Sequence, residues 1–205
     1  MKRFIILALV AALSLMTASA FAQFPCGSVP GNLVKDCGFE SGAFLGSPKG
    51  WTLTGNPGQN VVTSNSPFVL SGTYGAALGQ VGSDATLSQT ISGNTFTFQF
   101  RNDVEYWGLD EVSLVEVQSL PNGMDLYRFN FYLENLSDGT TPNDFTLLWN
   151  GVPVAGTSFT DAGAFGYVGI FGNVIGTSVP EPGTLIMLGT GVLGLAGTLR
   201  RKLKF

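Results

Sequence analysis

Histidine is absent from this chain of 205 residues. Its absence excludes catalytic triads that contain histidine, zinc sites built on imidazole, and the most common general base of enzymes. The glycine-rich stretches contain no Lys-Ser or Lys-Thr pair of the phosphate-binding type. The chemistry that remains is a pair of carboxylates, as in glycoside hydrolysis, drawn from Asp103, Glu105, Asp110 and Glu111. Because acidic residues are common on any protein surface, we expect that the protein is not an enzyme.

Basic residues are scarce and unevenly placed. The chain has 10 lysines and arginines against 14 acids, and six of the ten lie at its two ends: Lys2, Arg3, Arg200, Arg201, Lys202 and Lys204. Between residues 23 and 179, four basic and thirteen acidic residues remain, which gives a formal charge of −9. This charge argues against nucleic acid and anionic membrane surfaces as partners. It is compatible with divalent cations and with neutral glycans.

The first 22 residues have the organisation of a secretory signal peptide. Lys2 and Arg3 precede an apolar run over residues 4–16, and the small-residue exit ends at Ala22. This order predicts cleavage between Ala22 and Gln23 and export of the mature chain. An uncleaved signal anchor is the alternative, but the apolar run is short for a membrane-spanning helix.

The chain has 2 cysteines, Cys26 and Cys37. In an exported protein a disulfide can form and persist, so we expect these two residues to be joined. Two unpaired thiols, or a lipid on Cys26, are the alternatives. No Leu-x-x-Cys sequence precedes Cys26, which argues against lipidation.

The interior lacks any long stretch with a helical apolar period, and its period is two. In residues 95–101 phenylalanine alternates with polar residues, and residues 127–133 repeat the pattern. Asn150-Gly151 and Pro121-Asn122-Gly123 indicate tight turns. This pattern predicts an all-β fold, an antiparallel β-sandwich over residues 23–178, with residues 175–179 as a short tether to the C-terminal segment. Further strands are predicted at residues 51–54, 61–63, 74–78, 87–91, 112–117, 145–149, 152–154 and 165–171.

The C-terminal segment has three parts. It begins with Val179, Pro180, Glu181, Pro182 and Gly183, continues without charge over residues 184–199, and ends with the basic residues Arg200, Arg201, Lys202 and Lys204. Sixteen helical residues reach roughly 24 Å, which is short of a hydrocarbon core of about 30 Å. The basic residues are expected on the cytoplasmic side, with the rest of the mature chain outside.

This order of motif, apolar span and basic end resembles the PEP-CTERM sorting signal of Gram-negative bacteria. The resemblance implies export through the inner membrane and recognition by an exosortase, a membrane transpeptidase. It implies a cut near residues 180–182 and a destination in the cell envelope, on the outer surface or in the extracellular matrix. Before processing, the C-terminal segment would hold the chain in the membrane as a transmembrane helix. The alternative is an ordinary C-terminal membrane helix, which has no need of a Pro-Glu-Pro motif.

The mature domain is similar to jelly-roll carbohydrate-binding-like domains. The similarity lies in Gly38-Phe39-Glu40, Gly50-Trp51, Ser71-Gly72-x-Tyr74, Tyr106-Trp107-Gly108-Leu109-Asp110 and Trp149-Asn150-Gly151. In these domains the Tyr-Trp-Gly-Leu-Asp segment is the closing strand. Here it precedes the hairpin at residues 145–154, so the strand order differs from the family pattern.

The same resemblance implies a structural Ca²⁺ site at Glu40 and Asp110. Two carboxylates and neighbouring backbone carbonyls can supply the six to eight oxygens that calcium takes. The alternative is that both residues are solvated, or that they hydrogen-bond to the backbone.

Aromatic residues make up 12% of the chain, which suggests stacking on sugar rings. Most of them are at alternating positions that a sandwich must bury: Trp51, Phe96, Phe98, Phe100, Phe129 and Phe131. Tyr106, Trp107 and Tyr132 are the better candidates for exposure and for ligand contact. Ordinary packing is the alternative for these three.

Together these features predict a non-enzymatic, exported protein of the cell surface or extracellular matrix. Its expected partners are an exosortase and extracellular polysaccharide, with a glycan-contacting or adhesive role in a biofilm. A carbohydrate-active hydrolase that uses a carboxylate pair, and a purely structural surface protein, are the alternatives.

Overall fold

The structure is a computed structural model that describes residues 25–44, 50–56, 59–103 and 105–178. The predicted signal peptide with Ala22, the Pro-Glu-Pro motif, the apolar span and the basic end lie outside the described residues. Within the described ranges, no helix is both long and apolar enough to cross a membrane.

The described residues form two five-stranded antiparallel sheets, which confirms the predicted β-sandwich. The first sheet has the order β1-β4-β5-β8-β9, and the second has the order β10-β7-β6-β3-β2. A short 3₁₀ turn at Cys26–Ser28 precedes the strands. The strands are β1 (Thr52–Thr54), β2 (Asn60–Thr63), β3 (Gly75–Leu78), β4 (Ala85–Ile91), β5 (Asn94–Asn102), β6 (Trp107–Leu120), β7 (Met124–Asn135), β8 (Asn143–Trp149), β9 (Val152–Pro153) and β10 (Phe165–Thr177).

The two turns predicted from asparagine and glycine are present. Asn150 and Gly151 join β8 to β9 with φ values of 51° and 80°, and Asn122 and Gly123 join β6 to β7 with 65° and 70°. Positive φ at both central positions matches the right-handed twist of the flanking strands, and asparagine and glycine tolerate it.

The core lies between the sheets and is largely aromatic. Burial alternates along β5, where Phe96, Phe98 and Phe100 face the interior. The ring centroid of Phe98 lies 5.1 Å from that of Phe131 on β7 and 5.7 Å from that of Phe145 on β8. Side chains of both sheets therefore interlock at the centre of the sandwich.

Trp107 belongs to this core, so the prediction that it is exposed is wrong. Its side chain is 0% exposed, and its ring packs 5.4 Å from that of Phe145. The indole Nε1 donates to the backbone carbonyl of Arg101 at 3.0 Å. Trp107 shares the inward parity of Leu109 on β6, and that parity removes it from any ligand-contact surface.

The predicted tether at residues 175–179 is also wrong over its first three residues. Ile175, Gly176 and Thr177 continue β10 and pair with β7. The Asn94 side chain accepts from the Thr177 N–H and donates to the Thr177 carbonyl, both at 2.9 Å. Tyr127 also donates to this carbonyl, at 2.6 Å. The strand is therefore fixed to the sandwich up to its last residue.

A disulfide joins Cys26 and Cys37. The segment between them runs beside the middle of β6, where Leu33 N–H donates to the Leu114 carbonyl and Val112 N–H donates to the Cys37 carbonyl. The disulfide thus fastens the start of the described chain to the second sheet.

We expect both cysteines of the folded, unreduced protein to resist thiol labelling. Reduction should lower the free energy of unfolding by about 3 kcal/mol, because the crosslink removes loop entropy from the unfolded chain. Urea denaturation with and without reductant measures the loss. Two reactive thiols per folded chain would contradict the prediction.

Candidate functional site

The outer face of the second sheet carries polar and aromatic side chains that meet near the start of β6. The register pairs Asp110 with Tyr132 and Gly108 with Glu134, while the intervening Leu109 and Leu133 face the core. We call the set of Tyr106, Asp110, Tyr132, Glu134 and Tyr167 the tyrosine–carboxylate face.

Glu134 lies flat against the sheet because its neighbour on β6 has no side chain. A Cβ atom placed on Gly108 would lie 2.5 Å from Glu134 Oε1. Glu134 is only 3% exposed, and its Oε1 has no hydrogen-bond partner in the described part of the chain. Burial raises the pKa of this carboxyl to about 7. A buried polar atom without a partner is costly, so Glu134 is the most unusual group of the face.

The buried hydroxyl of Tyr167 on β10 also lacks a hydrogen-bond partner within the residues that the structure describes. Burial raises the pKa of Tyr167, and the negative charges of Glu134 and Asp110 raise it further. In the strand register Leu133 pairs with Val168 and Asn135 with Phe165, so the irregular part of β10 that contains Tyr167 lies opposite Glu134. Two unpartnered groups and Asp110 share one side of the sheet.

Two further tyrosines lie over glycines. A Cβ atom on Gly169 would lie 3.4 Å from Cε1 of Tyr132, and one on Gly79 would overlap the ring of Tyr106. Both tyrosines are half-buried. Glycine at these positions permits close approach of the rings to the backbone, so the rings lie along the sheet.

Asp110 is fully buried and is held by backbone donors. Its Oδ2 accepts from the N–H groups of Leu70 and Ser71 at 2.9 and 3.2 Å, and its Oδ1 accepts from Glu111 N–H at 2.8 Å. Burial raises the pKa of Asp110 to about 7 although these bonds lower it. Glu111, at a register shift in β6 with φ of 54°, accepts from Cys26 N–H and from the Ser71 hydroxyl.

Glu40 is exposed and meets the same loop that Asp110 contacts. Its carboxylate accepts from the N–H groups of Thr73 and Tyr74 at 3.0 and 3.2 Å. The structure therefore brings Glu40 and Asp110 to one loop, residues 70–74, although seventy positions separate them in the chain.

The carboxylate oxygens of Glu40 and Asp110 suit a hard cation, but two carboxylates are few ligands for one. Both carboxylates offer oxygen, and within the described residues no lysine or arginine is among their hydrogen-bond partners. In the same part of the chain, no group of three or more Cys, Asp or Glu side chains is placed to hold a metal ion. Calcium would thus depend on backbone carbonyls for most of its ligands.

Asp103 and Glu105, the other two candidates for a catalytic carboxylate pair besides Asp110 and Glu111, lie outside the tyrosine–carboxylate face. Asp103 forms an ion pair with Arg101 at 2.6 Å, and hydrogen bonding to this guanidinium lowers the pKa of Asp103. Glu105 is half-buried in the segment just before β6. Asp103 is thus already neutralised by a cation.

Glu134 and Tyr167 are not among the site residues predicted from the sequence. The alternation over residues 127–133 extends to Glu134 and puts it outside the core, on the face of Tyr132. The outward position of Glu134 could therefore be predicted from the alternation alone. That Gly108 lies opposite Glu134 depends on the register of β6 and β7, which the alternation does not reveal.

The Glu134 carboxyl should make stability depend on pH. An unfolded chain releases this proton near the ordinary value of 4.5, whereas the folded protein holds it until about 7. The native state therefore binds more protons between these values, and stability falls as pH rises through that window. We expect the urea midpoint to fall from pH 5 to pH 8, and Glu134→Gln to reduce the fall. An equal change in Glu116→Gln, which alters an exposed residue of β6, would contradict this assignment.

Comparison with known protein families finds a match for the C-terminal segment of the chain. Residues 178–202 match the PEP-CTERM protein-sorting motif. No curated protein and no solved structure matches the chain.

The PEP-CTERM signal makes this an exported protein that an exosortase sorts. The signal implies passage through the inner membrane to the cell envelope. The matched segment starts at residue 178, directly after β10 ends at Thr177. In the sequence, the last strand of the sandwich is therefore followed directly by the matched segment.

Proposed function

We propose that the protein is a non-enzymatic component of the cell surface or extracellular matrix that binds neutral glycans through the tyrosine–carboxylate face. Glu134 is the observation that carries the proposal. It is buried, and its Oε1 has no hydrogen-bond partner among the described residues. The strand register sets it opposite the irregular part of β10 that contains Tyr167, whose buried hydroxyl also lacks a partner there. Sugar hydroxyl groups donate and accept hydrogen bonds, so a sugar that displaces the side chains covering these two buried groups can satisfy both.

Charge and shape favour the same class of ligand. The domain is strongly acidic, which disfavours polyanions such as nucleic acid. The rings of Tyr106 and Tyr132 lie along the sheet, as a surface for stacking on sugar rings requires. The jelly-roll carbohydrate-binding-like resemblance of the sequence agrees with this proposal.

Titration of the mature protein with extracellular polysaccharide from the producing cells tests the proposal. Glu134→Gln and Tyr132→Ala should each weaken binding about tenfold, because each removes a contact worth about 1–2 kcal/mol. Gln99→Ala, on the outer face of the first sheet, is the control. Wild-type affinity in both variants would refute the site, and release of reducing ends from the polysaccharide would indicate a hydrolase.

Calcium is a second proposal, favoured by the convergence of Glu40 and Asp110 on residues 70–74. Bound there, the ion would neutralise two carboxylates and fasten the loop to β6. The protein's own residues already connect these parts by hydrogen bonds, so the ion would strengthen an existing link.

Millimolar Ca²⁺ should raise the melting temperature, and a chelator should lower it, because a ligand of the native state stabilises that state. Mg²⁺ should substitute poorly, since it requires a tighter octahedron. Glu40→Gln or Asp110→Asn should abolish the difference, whereas Glu116→Gln should keep it. A melting curve that does not respond to chelator would remove calcium from the account.

A further inference from the structure

Strand β10 differs from the other strands at the edges of the two sheets. The edge strands β1, β9 and β2 have three, two and four residues, and β9 contains Pro153. Strand β10 has 13 residues with no charge and no proline. Proteins protect exposed edges with short strands, charges or proline, so β10 is the one edge of the described sandwich that lacks these three devices.

The free side of β10 can be identified from its hydrogen bonds. Asn94 binds both the N–H and the carbonyl of Thr177, and Trp149 Nε1 donates to the Ile175 carbonyl at 2.8 Å. These groups point away from β7. Because N–H and carbonyl groups of alternate residues share one side of an antiparallel strand, Gly169, Phe171 and Asn173 point the same way. Among the described residues, no hydrogen bond from another segment reaches these three.

Phe171 is the centre of this free run and is 63% exposed. The register with β7 is regular from Val168 to Thr177, so the edge is straight at this point. Side chains beside it on β10 are uncharged, and the nearest charge on β7 is Arg128, opposite Asn173. A second copy of the strand can therefore approach without repulsion between like charges in β10.

We propose that two copies of the protein pair antiparallel through β10, with a two-fold axis at Phe171. Phe171 would then face its own copy, and Gly169 would face Asn173, with about six backbone hydrogen bonds between the chains. The pairing buries the exposed Phe171 rings against each other. It also places both tyrosine–carboxylate faces on one side of a continuous sheet, an arrangement that favours binding to repetitive polymers.

Light scattering on the mature protein over a micromolar concentration series measures the pairing. The wild type should reach twice the monomer mass. Phe171→Lys should raise the dissociation constant at least about tenfold, because two like charges then face each other across the axis. Val117→Lys, at a residue of β6 with 39% exposure, is the control for adding a lysine to an exposed apolar position.

An equimolar mixture of Phe171→Lys and Phe171→Glu tests the register itself. Opposite charges then face each other, so the mixture should form heterodimers at concentrations where each variant alone is mostly monomeric. This rescue requires Phe171 to face Phe171. A wild type that stays monomeric, equal loss in Val117→Lys, or a mixture that stays monomeric would overturn the proposal.

Discussion

Replacement of Pro180, Glu181 and Pro182 by alanine should leave the exported protein uncut and held in the membrane. The prolines keep Glu181 in an extended segment that a processing enzyme can bind, and alanine permits that segment to become helical. The expected effect is all or none, because recognition depends on the motif. Immunoblots of membrane and released fractions, with an antibody to the sandwich, measure it.

A matched control changes hydrophobicity and leaves the motif intact. Leu188→Ala, which lowers the hydrophobicity of the apolar span at residues 184–199, should leave processing unchanged. If the alanine variant were released as efficiently as the wild type, recognition through the motif would be refuted.

Phe98→Ala should lower the free energy of unfolding by about 3–5 kcal/mol. Phe98 is 0% exposed, and its ring lies within 5.1–6.2 Å, between centroids, of Phe96, Phe131, Phe145 and Trp51. Truncation therefore leaves a cavity between the two sheets that the rigid strands cannot close. A loss of this size is a large part of the 5–15 kcal/mol typical of a whole domain.

Urea denaturation at fixed pH measures this loss. Val152→Ala, at a residue of β9 with 65% exposure, should change the free energy of unfolding by less than about 0.5 kcal/mol. Equal losses in the two variants would mean that Phe98 is not at the centre of the core.

The sandwich could be predicted from the sequence because its strands alternate with unusual regularity. Phenylalanine at every second position of β5 leaves one way to bury the rings. The sequence pattern predicts a strand at residues 165–171, whereas β10 continues to Thr177. The prediction ends early because Gly172 and Gly176 interrupt the apolar pattern. What holds its end is the Asn94 side chain, more than eighty positions away, and a local pattern does not contain such a contact.

The candidate site was only partly predictable. The outward position of Tyr132 predicts a ligand-contact residue, and Tyr132 does lie on the tyrosine–carboxylate face. The same role is predicted for Trp107, but Trp107 and Leu109 point to the same side of β6, which is the core. The placement of Tyr167 opposite Glu134, and of Glu134 over Gly108, depends on the register among β6, β7 and β10. This register is set by packing of the whole sandwich.

The intact mass of the mature protein tests the central claim, export with exosortase sorting, most directly. We expect a chain that begins at Gln23, retains the Cys26–Cys37 disulfide, and ends near residues 180–182, apart from any group that the enzyme attaches there. A mature chain that still ends at Phe205 would contradict it.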